Sequence, residues 1–284
     1  MSERIIKQTL DLCKMYDIQP QKSKGQNFLI SEDVYDKIIS YADLKPEDTV
    51  LEVGPGLGFL TFKLAQKVKK VLAVELDSKI VEVLQILIQG SKNKNIKIFN
   101  KDILTAKGDN FSKISPYKIV SNLPYNITSI FLRKFLSLSH KPELIVLMLQ
   151  KEVVSRIIAR PPKMSLLSLS VQFYAEVELM LDVPRDNFYP SPEVDSAIIK
   201  IIPNKKLLDS YQEEKKFFKL LRVAFSAKRK MLKNNLEIGL KIDEEIIKKV
   251  FKELDLDLKV RAEQISLEEW LKIYGLFKNY SCLF

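Results

Sequence analysis

The stretch Glu52-Val53-Gly54-Pro55-Gly56-Leu57-Gly58 joins a β-rich run, Thr49–Val53, to a helical pattern over residues 58–69, and it narrows the possible folds more than any other feature. A strand that ends in glycines and opens into a helix is the first unit of a doubly wound α/β sheet, where ligands sit beyond the carboxyl ends of the strands. Glycine lets the chain turn sharply there and brings the backbone close to a ligand. Further β-rich runs at 71–75, 96–99, 117–121 and 144–149 alternate with helical patterns such as 78–89, which predicts a mostly parallel sheet. Two later candidates, 177–183 and 196–202, flank a loop rich in proline and aromatic residues and predict a closing antiparallel pair. Beyond Pro203-Asn204 the pattern is helical from Leu207 onward. The expected organisation is an α/β, Rossmann-like sheet with an N-terminal arm and an antiparallel last strand over residues 1–204. A small all-helical domain over 205–284 follows.

The glycine spacing bears on the ligand. A nicotinamide dinucleotide fingerprint requires G-x-G-x-x-G, with the pyrophosphate on the helix N-terminus. Here Phe59 occupies the third glycine position and the spacing is G-x-G-x-G. That favours S-adenosylmethionine, a cofactor without a pyrophosphate. Glu75 closes the second strand, where a carboxylate can accept both ribose hydroxyl protons, and Asp102 follows the third, where it can accept from the cofactor's adenine amino group. Taken singly, each acid is more simply a solvated turn residue. Together with Gly54 and Gly56, at the tips of consecutive strands, they delimit a cofactor crevice.

Asn122-Leu123-Pro124-Tyr125 follows the apolar pair Ile119-Val120. An aromatic amine such as adenine N6 is a poor nucleophile because its lone pair is delocalised into the ring. An asparagine oxygen and the next main-chain carbonyl can each accept one N–H bond and draw that nitrogen toward a reactive, tetrahedral form. Pro124 holds the backbone so that both acceptors converge, and Tyr125 can stack on the base or shape the pocket wall. On the tetrapeptide alone, a strand-ending turn is an equally good account.

Charge and composition limit the partners. Lys and Arg number 46 against 36 Asp and Glu, a net charge of +10, and the excess suggests a polyanion, most simply nucleic acid. Cys13 and Cys282 are far apart and the single histidine, His140, lies beside Lys141-Pro142 in a loop pattern. A disulfide framework, a zinc site and a histidine-based catalytic triad are all disfavoured. The start MSERIIKQTL lacks the apolar core of a secretory signal, and no run approaches a membrane span. A cytoplasmic, metal-free monomer without a membrane partner is the expectation.

With these residues in view, the sequence resembles the rRNA adenine N6,N6-dimethyltransferases of the small-subunit (16S rRNA) type, from about Lys22 to Ser266. Lys24-Gly25-Gln26-Asn27-Phe28-Leu29 is similar to the family's N-terminal motif, and the resemblance implies that Gln26, Asn27 and Leu29 join Gly54, Gly56, Glu75, Asp102 and Asn122 in holding S-adenosylmethionine. It also implies that Asn122, Leu123, Pro124 and Tyr125 form the catalytic tetrapeptide. The run Phe188-Tyr189-Pro190-Ser191-Pro192-Glu193-Val194-Asp195-Ser196 resembles the segment whose leading Phe stacks on the target adenine, which assigns that role to Phe188. Two departures stand out: Lys101 before Asp102, and the proline-rich run at 161–166.

The function implied is dimethylation of two adjacent adenines near the 3′ end of small-subunit rRNA, in an immature 30S-type particle, with a part in subunit biogenesis. The alternatives are the erythromycin-resistance type acting on large-subunit rRNA, and a non-catalytic RNA-binding assembly or transcription factor on the same scaffold. For RNA contact, one helix is expected over 217–236. At about 100° per residue its Arg222, Arg229 and Lys233 share a stripe about 40° wide, with Lys228 and Lys230 alongside. A solvated basic face explains that helix equally well on its own.

Overall fold

The computed structural model describes residues 2–21, 25–105, 116–204 and 207–279; Lys24 of the N-terminal motif and Cys282 lie outside them. The chain divides into two compact units, Met1–Val154 with Glu176–Pro203, and Ser155–Ala175 with Asn204–Phe284.

The first unit opens with α1 (Ser2–Met15), a short strand β1 (Phe28–Leu29) and α2 (Glu32–Tyr41). Alternating elements follow: β2 (Thr49–Val53), α3 (Phe59–Ala65), β3 (Lys70–Glu75), α4 (Ser78–Gly90), β4 (Ile96–Asn100), β5 (Lys118–Asn122), α5 (Thr128–Leu136) and β6 (Leu144–Gln150). The chain continues through α6 (Lys151–Ile157), α7 (Leu166–Gln172), β7 (Ala175–Val183), a two-residue β8 (Phe188–Tyr189) and β9 (Ser196–Pro203). Seven strands form one sheet in the order β4-β3-β2-β5-β6-β9-β7. The pairs β2–β3, β3–β4, β2–β5 and β5–β6 are parallel, whereas β9 runs antiparallel to β6, with Ile145 opposite Ile201. The order reverses at β2, between β3 and β5, and ligands of such sheets bind at that switch.

Apolar periodicity accounts for the layers. Val34, Tyr35 and Ile38 of α2 and Leu60 and Leu64 of α3 share one buried cluster with Val50, Val71, Val146 and Ile198 of the sheet. Each fully buried aliphatic side chain there contributes about 1.5–3 kcal/mol. α1 joins this core through Ile5, and its Leu12 and Cys13 pack on a second cluster around Leu57, Ile80 and Leu84. The helix expected over 58–69 stops at Ala65, and the chain turns before β3 begins at Lys70.

The second unit holds α8 (Tyr211–Ala224), α9 (Leu232–Leu240), α10 (Glu244–Glu253) and α11 (Leu267–Asn279). Residues 155–175 belong to it because aromatic packing draws them in. Phe173 stacks on Phe217 at 5.2 Å, Tyr174 on Phe218 at 5.7 Å, and the Tyr174 hydroxyl donates to Glu214 Oε2 at 3.0 Å. The proline-rich run at 161–166 is fastened there by Met164 N donating to Glu263 O at 2.9 Å, and it feeds α7 through a Ser165–Ser168 capping box.

The single helix expected over 217–236 does not form. α8 ends at Ala224, a turn covers 225–231, and α9 begins at Leu232. The break is made by a side chain: Asn235, 7% exposed, donates from Nδ2 to Ala224 O at 2.7 Å and to Ala227 O at 3.2 Å. Carbonyls at a helix end have no partner within the helix, and Asn235 supplies one. Arg222 therefore lies on α8, Lys228, Arg229 and Lys230 on the turn, and Lys233 on α9. Asn235→Leu is expected to destabilise this unit by about 1–3 kcal/mol, since it strands the Ala224 carbonyl, whereas Ala227 O keeps the Lys230 N–H at 3.0 Å. Trp270, the chain's one tryptophan, is fully buried in α11; its fluorescence during urea unfolding measures the loss.

Among the described residues no helix is long and apolar enough to cross a membrane, and no group of three His, Cys, Asp or Glu is placed to hold a metal.

Candidate active site

Gln26, Asn27, Leu29, Gly54, Gly56, Glu75, Asp102, Asn122, Leu123, Pro124 and Tyr125 all line one cavity at the carboxyl ends of β2–β5. The glycine turn and the tetrapeptide make its floor. Gly54 has φ +68°, a conformation L side chains rarely adopt, and a Cβ there would stand 3.0 Å from Pro124 Cδ. Gly25 approaches the same proline from the N-terminal motif, where a Cβ would lie 3.6 Å from Pro124 Cβ. Two sequence-distant glycine segments thus close on Pro124, whose own φ is −53°.

Hydrogen bonds hold the tetrapeptide. Asn122 Nδ2 donates to Asn27 O over 3.5 Å, which engages the amide nitrogen with the protein and leaves the oxygen to accept. The Leu123 side chain is buried, and its N–H donates to Met148 O at 3.3 Å. Tyr125 is held by a 2.8 Å hydrogen bond between its hydroxyl and Ser196 Oγ, and Thr128 Oγ1 donates to its carbonyl at 3.2 Å. Ser121 on β5 donates to Val53 O on β2, which ties the two strand tips together.

The acids stand on separate supports. Glu75 Oε1 accepts from the N–H groups of Leu76 and Asp77 at 2.8 and 2.9 Å, a pair that orients its other oxygen. Burial raises its carboxyl, and the backbone donors work in the opposite direction. Gln26 lines the cavity, but its side chain serves as a brace: Oε1 accepts from Gln21 N at 2.9 Å and Nε2 donates to Asp77 Oδ2 at 3.0 Å. Asp102 Oδ1 accepts from Leu104 N at 2.7 Å and so shapes its own turn.

Lys134, which sequence reasoning missed, reaches from α5 to the carbonyls of Ile103 and Leu104 at 2.9 and 2.8 Å. Burial lowers its ammonium while the nearby Asp102 raises it. Lys134→Met is expected to weaken binding of an adenosine cofactor about tenfold, the loss of one charged hydrogen bond's worth of order at Asp102. Calorimetric titration with S-adenosylmethionine measures it, and an unchanged affinity would make the clamp dispensable.

Glu52 was also missed, because an acid in a strand reads as a solvated position. It is 1% exposed and lines the cavity, with no hydrogen-bond partner for Oε2 among the described residues. The cavity therefore offers glycines that admit a close ligand, acids at the tips of β3 and β4, and a buried carboxylate with an open acceptor. These features fit the cofactor that the glycine spacing predicts, an adenosine with a cationic amino-acid tail.

Phe188, which the resemblance assigns to stacking on the target adenine, is 3% exposed and packs in the core cluster with Leu29 and Ile198, outside the residues that line the cavity. The cause is the β1–β8 pairing, which sets Leu29 opposite Phe188 and takes the ring into the core. Among the candidate catalytic residues, the aromatic that borders the cavity is Tyr125. In the second unit Arg222, Lys228, Arg229 and Lys230 are exposed, whereas Lys233 is half-buried and paired with Glu244 at 3.3 Å.

Comparison with known proteins follows the same lines. The family described as ribosomal RNA adenine dimethylase matches residues 18–279. Ribosomal RNA small subunit methyltransferase A of Dehalococcoides mccartyi (strain CBDB1) is 44% identical over 280 residues, covering 98% of this chain and 95% of that protein. The crystal structure of a dimethyladenosine transferase from Plasmodium falciparum aligns with a TM-score of 0.77 at 27% identity, over 89% of this chain and 98% of that one. The 23S rRNA methyltransferase ErmE aligns with a TM-score of 0.72 at 25% identity, over 89% and 100% of the two chains.

Proposed function

Because the chain belongs to the ribosomal RNA adenine dimethylase family, we propose that it is an S-adenosylmethionine-dependent enzyme that dimethylates N6 of two adjacent adenines near the 3′ end of small-subunit rRNA. The observation that carries the reading is the seating of Pro124 against Gly54, which sets the tetrapeptide in the same cavity as Glu75 and Asp102.

When bound, S-adenosylmethionine supplies an electrophilic methyl group. The protein's task is then to position an amine and exclude water. Asn122 Oδ1 and the Leu123 carbonyl accept the two N–H bonds of the adenine amine. Both acceptors gain strength as that nitrogen becomes positive, so they favour the transition state over the ground state. No strong base is required, since the methylated amine is acidic enough to lose its proton. Glu75 accepts from the ribose hydroxyls and Asp102 from the cofactor's adenine amino group. Gln26 holds the N-terminal segment that carries Asn27 and Leu29.

The target base leaves its stack at a cost of a few kcal/mol. Stacking on Tyr125 would return about 1–3 kcal/mol. Arg222, Lys228, Arg229 and Lys230 are proposed to meet rRNA phosphates, with Lys233 contributing less because Glu244 neutralises it. The proposed partner is an immature small ribosomal subunit in the cytoplasm, met by a monomer.

Small-subunit rRNA is preferred over large-subunit rRNA because the 44% identical relative carries a small-subunit name, while the 23S enzyme is 25% identical. A cavity with glycines, acids and tetrapeptide intact speaks against a purely non-catalytic factor. Incubation with labelled S-adenosylmethionine and separate unmethylated small and large subunits, followed by mass mapping, tests all three. Two dimethyladenines in the small subunit are expected. Label in the large subunit alone, or none at all, would overturn the assignment.

A further inference from the structure

Ser196 is the one hydroxyl of the apolar strand β9, where Ala197, Ile198 and Ile199 follow it, and it is fully buried. A hydroxyl withdrawn from water costs stability unless it finds a partner. The partner here is the hydroxyl of Tyr125, at 2.8 Å and from a segment 71 residues away in the chain. Ser196 itself is a fixed point. It stands opposite Gln150 in the β6–β9 ladder, and the residue before it is held twice: Asp195 O accepts from Lys151 N at 3.0 Å, and Asp195 Oδ1 accepts from Arg185 N at 3.0 Å.

Tyr125 is the opposite case. It lies outside the sheet, in a three-residue 3₁₀ turn that contains no buried residue, and it borders the cavity. Thr128 holds its carbonyl, but the ring turns about two side-chain torsions that a bond to the backbone does not set. Among the described residues, Ser196 is the polar group that fixes the far end of that ring. Ser196 is not among the residues that line the cavity, so whatever it does there it does through Tyr125.

We propose that Ser196 is a positioning residue for methyl transfer: through the Tyr125 hydroxyl it sets the plane of the ring on which the target base rests. The proposal rests on the methyltransferase reading given above. A stacked base takes its orientation from the ring beneath it, so a ring that swings carries the amine off the line to the methyl group. Misplacing a reacting atom by about 1 Å can cost about 10²-fold in rate. A ring still confined by its neighbours moves less, and the loss of one neutral hydrogen bond corresponds to about tenfold.

The test is a double-mutant cycle on the full chain: wild type, Ser196→Ala, Tyr125→Phe and the double variant. Each is assayed for single-turnover transfer of labelled methyl to unmethylated small subunits at saturating S-adenosylmethionine. Each single variant is expected to slow transfer about tenfold, and the double variant no further, because all three lack the same bond. A merely structural serine gives a different pattern: loosening of β9 would slow the Tyr125→Phe protein again, to about a hundredfold in all. Additive losses therefore overturn the proposal, as does a wild-type rate in either single variant. Should Ser196→Ala fail to fold, Ser196→Cys, close in shape and a much weaker hydrogen-bond partner, takes its place in the cycle. Wild-type protein that labels no small subunit overturns the functional reading and this proposal together, whereas an active wild type with an equally fast Ser196→Ala overturns this proposal alone.

Discussion

Asn122→Ala is expected to lower the single-turnover rate of methyl transfer by about 10²–10³-fold, the loss seen when one preorganised transition-state partner is removed. The rRNA affinity should stay within about twofold, because an interaction made only in the transition state does not contribute to ground-state binding. The local structure has little reason to collapse. Among the described residues that side chain is held by a single long hydrogen bond, the 3.5 Å contact with Asn27 O, and the strand tip is separately tied by Ser121 to Val53. Rapid-quench assays with labelled cofactor, together with titrations of RNA, separate the two outcomes. A fall in affinity as large as the fall in rate would make Asn122 a scaffold residue and remove the proposed chemistry.

Gly54→Ala should be nearly as severe by a different route. At φ +68° an alanine is strained, and its Cβ would press on Pro124 Cδ at 3.0 Å and Cγ at 3.1 Å. A displacement that moves the tetrapeptide by even 1 Å can reduce turnover by about 10²-fold. We expect a loss of about that size, joined by at least about tenfold weaker cofactor binding because the turn itself shifts. Measured kcat and the cofactor Kd report the two parts. If Kd rose with kcat unchanged, Pro124 would be free of the glycine turn, and the floor of the cavity would not be one unit.

Much of the first unit is legible because its signals are local. The period-two and period-3.6 patterns locate β2 to β6 and α4 within a residue of their ends, and Glu75 and Asp102 are found from their places after strands. What was illegible depends on distant contacts. Nothing between Phe225 and Lys230 is a glycine or proline, so periodicity runs one helix through a turn that Asn235 makes from outside. Phe188 sits in a two-residue strand, too short for any period, and only its partner Leu29 reveals which way the ring goes. Glu52 and Lys134 carry charges that a pattern assigns to water, until the fold surrounds one and brings the other onto Ile103 and Leu104.

The position of β9 between β6 and β7 has a consequence for synthesis. During translation, β6 leaves the ribosome with its outer edge open, and the strand that seals it ends only at Pro203. Until about fifty further residues have been added to Gln150, the nascent sheet carries an unpaired hydrophobic margin, the kind that invites misassociation. The seal is also discontinuous in the chain, since Ser155–Ala175 is diverted to the other unit on the way. A stall anywhere in that interval should leave a nascent chain that chaperones grip and proteases cut, and release past Pro203 should end both sensitivities together.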